Sequence, residues 1–204
     1  MSSADPAFQG SLFGGEPPSI DPAFTTLTRR ALDERAWVDH APGWLVGADA
    51  LFETLVEVAA WGQHTRKMYG DDVLQPRLTA GWMDDSRLAA AAPVLQQMRA
   101  ALRERYGVEF VSGGLNYYRD GRDSVAWHRD KIPSSVVDPI VAIVSVGEPR
   151  KLLLRPRGGG RSLAYHLAGG DLLVTGGTTQ RTWEHTIPKV AAAGPRISIT
   201  FRHR

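Results

Sequence analysis

The 204 residues contain no cysteine. Disulfides, thiolate metal sites and cysteine nucleophiles are therefore excluded together, and any bound metal must take its ligands from His, Asp or Glu. No apolar run approaches the ~20 residues that span a bilayer, so no membrane association is expected. The first fifteen residues, MSSADPAFQGSLFGG, lack a basic segment followed by an apolar stretch. No secretory leader is expected, and a cytoplasmic location is the default reading. No internal repeat is visible. Strands do not alternate with helices, which argues against a doubly wound sheet.

The length suits one domain, with or without extensions, and a core that needs no staples. Charge is unevenly spread. Residues 1–118 hold 10 Lys/Arg and 15 Asp/Glu, whereas residues 119–204 hold 14 and 7. A basic C-terminal half suits phosphate backbones and other anions, or is simply a solvated arginine-rich surface. Residues 1–24, rich in Pro, Gly and Ser, read as a flexible arm ahead of a domain over 25–204. Within that domain, helical support is expected over 48–107 and a β core over 108–204. ADALFETLVEVAAWG places Leu51, Phe52, Leu55 and Val58 on one face of a helix near 48–62. A second helical segment is expected near 86–105, with Asp85 or Ser86 as N-cap and Gly107 as stop; Pro93 should kink or divide it.

From Val111 onward the pattern changes to short strand-like runs: LNYY, SVAWH, IVAIVSVG, KLLLRP, SLAYHLA, DLLVTGG, TWEHTIP and RISITFR. Turn signals such as RDGRD, GEPR and RPRGGGR separate them. This spacing predicts a mainly β, α+β protein whose β sandwich is of jelly-roll type, with the helices packed outside.

Two residues in SVAWHRDKI raise the question of a metal. Residues i and i+2 of a strand share a side, so His128 and Asp130 could reach one ion from one strand. His185, in the strand-like TWEHTIP, is a candidate third ligand. Two histidines and one carboxylate form the facial triad of non-haem Fe(II) oxygenases, leaving positions for a chelating cosubstrate and O2. In RISITFR, Arg196 and Arg202 are six apart and share a face with Ser198 and Thr200. Facing inward, two arginines would need anions, and a dicarboxylate supplies them; on an edge strand they would simply be exposed.

LNYYRDGRDSVAWHRD, then EHTIPKV, then PRISITFR together resemble the AlkB family of Fe(II)- and 2-oxoglutarate-dependent dioxygenases, over roughly residues 40–203. The family pattern is Asn-x-Tyr, His-x-Asp, a distal His followed by Pro, and two arginines six apart. The resemblance implies a double-stranded β-helix, with His128, Asp130 and His185 ligating Fe(II). It further implies that Arg196, helped by Tyr118, binds the far carboxylate of 2-oxoglutarate, with Asn116 and Arg202 beside the chelating end. The implied activity is oxidative demethylation of N-alkylated bases in DNA or RNA, with release of formaldehyde, succinate and CO2. The alternatives are a 2-oxoglutarate oxygenase acting on a protein or small molecule, and a non-catalytic nucleic-acid-binding module.

Candidates for a phosphate track are Arg119, Arg122, Arg129, Lys131, Arg155, Arg157 and Arg161. QPRLTAGWMDD resembles the segment leading into the family's nucleotide-recognition lid. There Trp82 would be a substrate-side aromatic or a core residue, and Tyr69 is a weaker candidate. Ile132 stands where DNA-repair members carry an acid that helps to read the flipped base, and the aromatic-rich lid stretch is missing. In the arm, Gln9, Leu12 and Phe13 of QGSLF resemble the peptides that dock on a bacterial sliding clamp, or else pack back on the domain. Nothing in the sequence demands more than a monomer.

Overall fold

Alternating apolar and polar residues, read above as strands, assemble into two main antiparallel sheets, beside two two-stranded ones, in a computed structural model that describes residues 16–68, 71–83 and 85–203. The N-terminal strands are β1 (Ser19–Ile20), β2 (Thr28–Ala31), β3 (Ala36–Ala41) and β4 (Leu45–Val46). Helix α1 (Ala48–Val58) follows, then β5 (Thr65–Met68), β6 (Asp71–Leu74), β7 (Leu78–Ala80) and helix α2 (Ala92–Tyr106). The C-terminal part contains β8 (Phe110–Tyr118), β9 (Val125–His128), β10 (Val141–Gly147), β11 (Arg150–Pro156), β12 (Leu163–Leu167) and β13 (Leu172–Gly177). A one-turn helix α3 (Thr179–Thr182), β14 (Trp183–Ile187) and β15 (Arg196–His203) complete it.

The larger sheet has the order β2-β3-β13-β10-β15-β8-β7, and the smaller one β12-β11-β14-β9. The eight strands from β8 to β15 are the eight runs expected from the sequence. β8, β10, β13 and β15 lie in the larger sheet; β9, β11, β12 and β14 lie in the smaller one. That distribution is the jelly-roll arrangement of a double-stranded β-helix.

Pleating separates two cores. On β10, Ala142, Val144 and Val146 join Ile197, Ile199 and Phe201 of β15 in a cluster with Leu51 and Leu55 of α1 and Leu95, Met98 and Leu102 of α2. On the opposite face, Val141 and Ile143 meet Leu152, Leu154, Leu173 and Ile187 between the sheets. All seven residues of β10 are buried, so it reads as a continuous apolar run except at Ser145.

The N-terminal half departs from the expectation. Residues 1–15 lie outside the described residues, but from Ser19 the chain is already paired, β1 with β4. Phe24 is buried and stacks on Trp44 at 5.4 Å, so the stretch expected as an arm is packed by this point. Strands β2 and β3 extend the larger sheet at one edge and β7 at the other, where the sequence pattern alone predicts no strand. Helix α1 ends at Val58, four residues short of the expected end, because the backbone of Ala59 turns extended. Trp61 then folds back, its indole N–H donating to the Val56 carbonyl. Pro93 divides the second segment: a 3-10 turn at Ser86–Leu88 is capped by the Asp85 side chain, and α2 begins with Pro93 in its first turn. Gly107 ends α2 with φ of 66°.

Trp82 belongs to the core. It is 5% exposed, packs edge-on to Phe201, and its Nε1 donates to the Thr200 carbonyl at 3.1 Å. A Cβ on Gly113 would collide with the Trp82 indole, so the glycine in β8 is the seat of this ring. Trp82 therefore does not present its face to a substrate. Tyr69 lies outside the described residues.

Candidate metal and cosubstrate site

The two histidines meet because β9 and β14 are neighbours. His128 and His185 are register partners, with ring centroids 4.2 Å apart. An irregularity follows in the pairing, so that Ile187 faces Val125. This bulge lets Val125 and His128, three residues apart, line the same cavity. His128 Nδ1 lies 2.9 Å from the Ala126 carbonyl. A proton on Nδ1 leaves Nε2 free to bind a metal.

Asp130 requires a correction. Strand β9 ends at His128, so Asp130 is not on the strand, and the i, i+2 rule does not place it. Three interactions with other elements do. Its backbone N–H donates to Gln180 Oε1 at 3.0 Å, its Oδ1 accepts from Arg202 Nη2 at 3.2 Å, and the adjoining loop is held by Arg181. One ligand atom from each of His128, Asp130 and His185 lies within 4.8 Å of the others. Among the described residues, this is the group of His, Asp and Glu able to hold a metal ion.

The protonation states suit a cation. Burial pushes His185 down to about 4, with His128 adding to the effect. Burial also lowers His128, by more than Asp130 raises it. For Asp130, burial pushes upward, but Arg202 and the two imidazoles outweigh it and hold the carboxyl below the usual range. At neutral pH the site is two neutral imidazoles and one carboxylate, the protonation state a divalent ion needs.

The polar face of β15 completes the cavity. Antiparallel register sets Arg196 against Tyr118, Ser198 against Asn116, and Thr200 against Gly114. Arg196 is fully buried, and its Nε donates to Ser145 Oγ at 2.7 Å. Its Nη1 and Nη2 have no hydrogen-bond partner among the described residues. Burial pushes this guanidinium down to about 10. A buried fork with both terminal nitrogens unpartnered is costly unless an anion completes it, and a carboxylate matches it in shape and charge. Two cations lie over the Tyr118 ring, Arg196 at 5.5 Å and Arg150 at 5.7 Å from its centroid. The triad and Arg196 line one cavity of about 200 Å³ with Asn116, Tyr118, Ser198 and Arg202. The residues present therefore fit a divalent metal and a dicarboxylate together.

Two further cavities share His128. One, of about 390 Å³, is mostly apolar and is lined by Leu74, Pro76, Val125, Ala126, Ile187 and Pro188. The other, of about 730 Å³, also shares Asp130 and carries Arg129, Lys131 and Arg157. These three are exposed and make no ion pair with a carboxylate among the described residues. The expected cationic track is narrower than the sequence suggested. Arg119 pairs with Asp123, Arg122 with Asp120, and Arg155 with Glu184 while lying over the Trp127 ring. Arg161 is exposed on the β11–β12 hairpin. Ile132 is 7% exposed and packs in the cluster between the sheets. Its side chain is a core group at the rim of the cationic cavity. Gln9, Leu12 and Phe13 lie outside the described residues.

Sequence reasoning missed Arg77, whose Nε donates to Asn116 Oδ1, and also Ser145, Gln180 and Arg181. Ser145 left a signal, a lone hydroxyl in the apolar run IVAIVSV. Gln180 and Arg181 left none, because their partners lie 50 and 49 residues away.

A family model described as the 2OG-Fe(II) oxygenase superfamily matches residues 79–202. Alpha-ketoglutarate-dependent dioxygenase alkB homolog 3 of Bos taurus is 36% identical over 185 residues, covering 79% of this chain and 64% of that protein. Its Homo sapiens counterpart is 34% identical over 175 residues, covering 76% and 61%. DNA oxidative demethylase ALKBH2 of Arabidopsis thaliana is 30% identical over 190 residues, covering 74% and 60%. The chain thus spans less than two thirds of the length of these relatives. Two solved structures share the fold. An oxidoreductase of the 2OG-Fe(II) oxygenase family from Burkholderia pseudomallei has a TM-score of 0.52 at 15% identity, covering 76% of this chain and 78% of that one. A Trichoplax adhaerens prolyl hydroxylase, in complex with a hypoxia inducible factor peptide fragment, has a TM-score of 0.54 at 11% identity, covering 81% and 82%.

Proposed function

The chain belongs to the 2OG-Fe(II) oxygenase superfamily, on its AlkB branch, and on that premise we propose that it is an Fe(II)- and 2-oxoglutarate-dependent dioxygenase that removes methyl groups from ring nitrogens of bases in DNA or RNA. The observation that carries this reading is the shared cavity: three converging ligands on one side, and a buried guanidinium with two unpartnered nitrogens on another.

His128, Asp130 and His185 would hold Fe(II). Arg196, oriented by Ser145, would hold the far carboxylate of 2-oxoglutarate, with Tyr118 closing the same wall. Asn116 and Arg202 line the same cavity as Asp130, and Arg202 keeps that carboxylate ionised. Bound Fe(II), 2-oxoglutarate and O2 supply hydroxylation of an N-methyl group, which leaves as formaldehyde while 2-oxoglutarate becomes succinate and CO2. The chain's own residues have the tasks of binding, orienting and excluding water. The mostly apolar cavity beside His128, which Arg77 and Lys189 also line, offers a flipped base a place near the metal. Arg129, Lys131 and Arg157 offer contacts for the flanking phosphates. With Ile132 turned into the core, recognition of the base falls to other residues of these cavities.

The test is turnover with Fe(II), 2-oxoglutarate and methylated or unmethylated oligonucleotides, single- and double-stranded, DNA and RNA. Formaldehyde from methylated strands alone supports the proposal. Succinate formed only with a protein or small-molecule substrate favours the broader oxygenase reading, and no succinate under any condition favours a binding module. The proposal includes a monomeric, cytoplasmic enzyme with a sliding-clamp contact through Gln9, Leu12 and Phe13. Leu12→Ala/Phe13→Ala should abolish clamp binding while leaving turnover on short oligonucleotides intact; unchanged clamp affinity ends that part.

A further inference from the structure

The carboxylate ligand lies beyond the end of its strand, yet the site is ordered tightly enough to bring three ligand atoms together. The short helix α3, which directly precedes β14 and its His185, supplies the link. Gln180 of α3 is 3% exposed. Its Oε1 accepts from the Asp130 N–H at 3.0 Å, and its Nε2 donates to Thr175 Oγ1 at 3.0 Å. Thr175 is itself buried on β13, and its hydroxyl donates to the Val141 carbonyl of β10 at 3.4 Å. A continuous polar chain thus runs from the middle of the larger sheet to the backbone of the metal ligand.

The next residue acts on the following stretch of loop. Arg181 donates from Nη1 to the Ile132 carbonyl and from Nη2 to the carbonyls of Pro133 and Val136. Helix α3 is in turn bolted to the sheet by Thr179. Its hydroxyl lies 2.6 Å from the Gly176 carbonyl and 3.1 Å from the Trp37 carbonyl, and 3.2 Å from the Trp37 N–H.

We propose that Gln180 is the positioning residue for Asp130, and that α3 couples the two halves of the metal site by orienting the Asp130 loop while leading into the strand that carries His185. A buried amide with both ends satisfied is rigid, and removing it leaves the Asp130 N–H without its acceptor. Metal ligands fixed in this way lose affinity when the supporting group is lost, typically by about 10–100-fold.

The inference rests on the reading of the triad as a metal site, and the experiment separates the two. Co(II) is titrated into the full chain, followed by calorimetry and visible absorption, with thermal melts of the metal-free protein as the folding control. Gln180→Met keeps the volume and removes both hydrogen bonds, so Co(II) should bind about tenfold or more weakly, with altered visible bands. Gln180→Glu keeps the acceptor for the Asp130 N–H and should restore most of the affinity. Thr175→Val, which releases the far end of the amide without adding bulk, should weaken binding in the same direction and serves if the Met variant does not fold. If the folded variants bind Co(II) as the wild type does, while His128→Ala abolishes binding, the role of Gln180 is refuted and the triad stands. If the wild type binds no Co(II), the metal reading and this inference both fall.

Discussion

Arg202 Nη2 donates to Asp130 Oδ1 across 3.2 Å, linking the last strand of the larger sheet to the loop that follows β9 of the smaller one. The same strand carries Arg196, fully buried and bonded to Ser145. One polar strand face therefore reaches both parts of the cavity: Arg202 bonds the Asp130 carboxylate, and Arg196, whose terminal nitrogens have no partner among the described residues, lines the same space.

Removing Arg202 should make metal binding more sensitive to acid. Burial alone pushes Asp130 upward, and Arg202 is the largest influence opposing it. In Arg202→Gln the carboxyl therefore takes up a proton at higher pH and competes with the metal there. The acid limb of a Co(II)-binding profile should move to higher pH than in the wild type. A superimposable limb would show that Arg202 does not govern this carboxylate.

Arg196→Met should separate cosubstrate binding from stability. The variant loses the fully buried guanidinium that lines the cavity beside Tyr118, so KM for 2-oxoglutarate should rise by about 100-fold or more, the scale of a lost charge-assisted pair. It also removes a buried cation whose terminal nitrogens have no partner among the described residues. The melting temperature of the protein free of 2-oxoglutarate should therefore rise or hold rather than fall. Thermal shift with and without 2-oxoglutarate reads both effects.

The metal-free protein should lose stability in mild acid. His185 titrates near 4 when folded, and His128 is also lowered, against about 6.5 in the unfolded chain. As pH falls below about 6.5 the unfolded chain takes up protons that the folded chain refuses, so stability drops until the folded histidines protonate in turn, for His185 near pH 4. Melts of chelator-treated protein between pH 7.5 and 4.5 should show this slope. His185→Gln should flatten it, and an equal slope in that variant would count against the assignment.

Charge reversal should distinguish the free cations from the paired ones. Arg129→Glu, Lys131→Glu and Arg157→Glu should each weaken single-stranded oligonucleotide binding and reduce the salt slope by about 0.7 per lost phosphate contact. Arg122→Gln, which disturbs an exposed pair with Asp120, should change affinity far less. Fluorescence anisotropy over a salt series provides the measurement.

The eight core strands were legible because each alternates or runs apolar between clear turn signals, and their pleat directly yields the inward face Arg196, Ser198, Thr200 and Arg202. Strands β2, β3 and β7 were not legible. Their short segments, TRRA, AWVDHA and LTA, are recruited by the open edges of the larger sheet, a tertiary effect that overrides weak local preference. Trp82 stood equally open to two readings until the packing of Gly113 and Phe201 placed it in the core. Basic residues counted along the chain looked like one track, yet three of the seven proved to be neutralised by neighbouring acids.

By itself the sequence determined that any metal must sit among His and carboxylate ligands, because no thiol exists. It also determined that the last strand turns a polar face with two arginines to one side, because side chains alternate along a strand. Only the tertiary structure decided that His128 and His185, 57 positions apart in the chain, are partners across two neighbouring strands. It also decided that Asp130, beyond the strand end, is aimed by Gln180 and Arg202. Residue type and local period are carried by adjacent positions, whereas convergence on one ion depends on register and loop hydrogen bonds between distant segments, which no local pattern encodes.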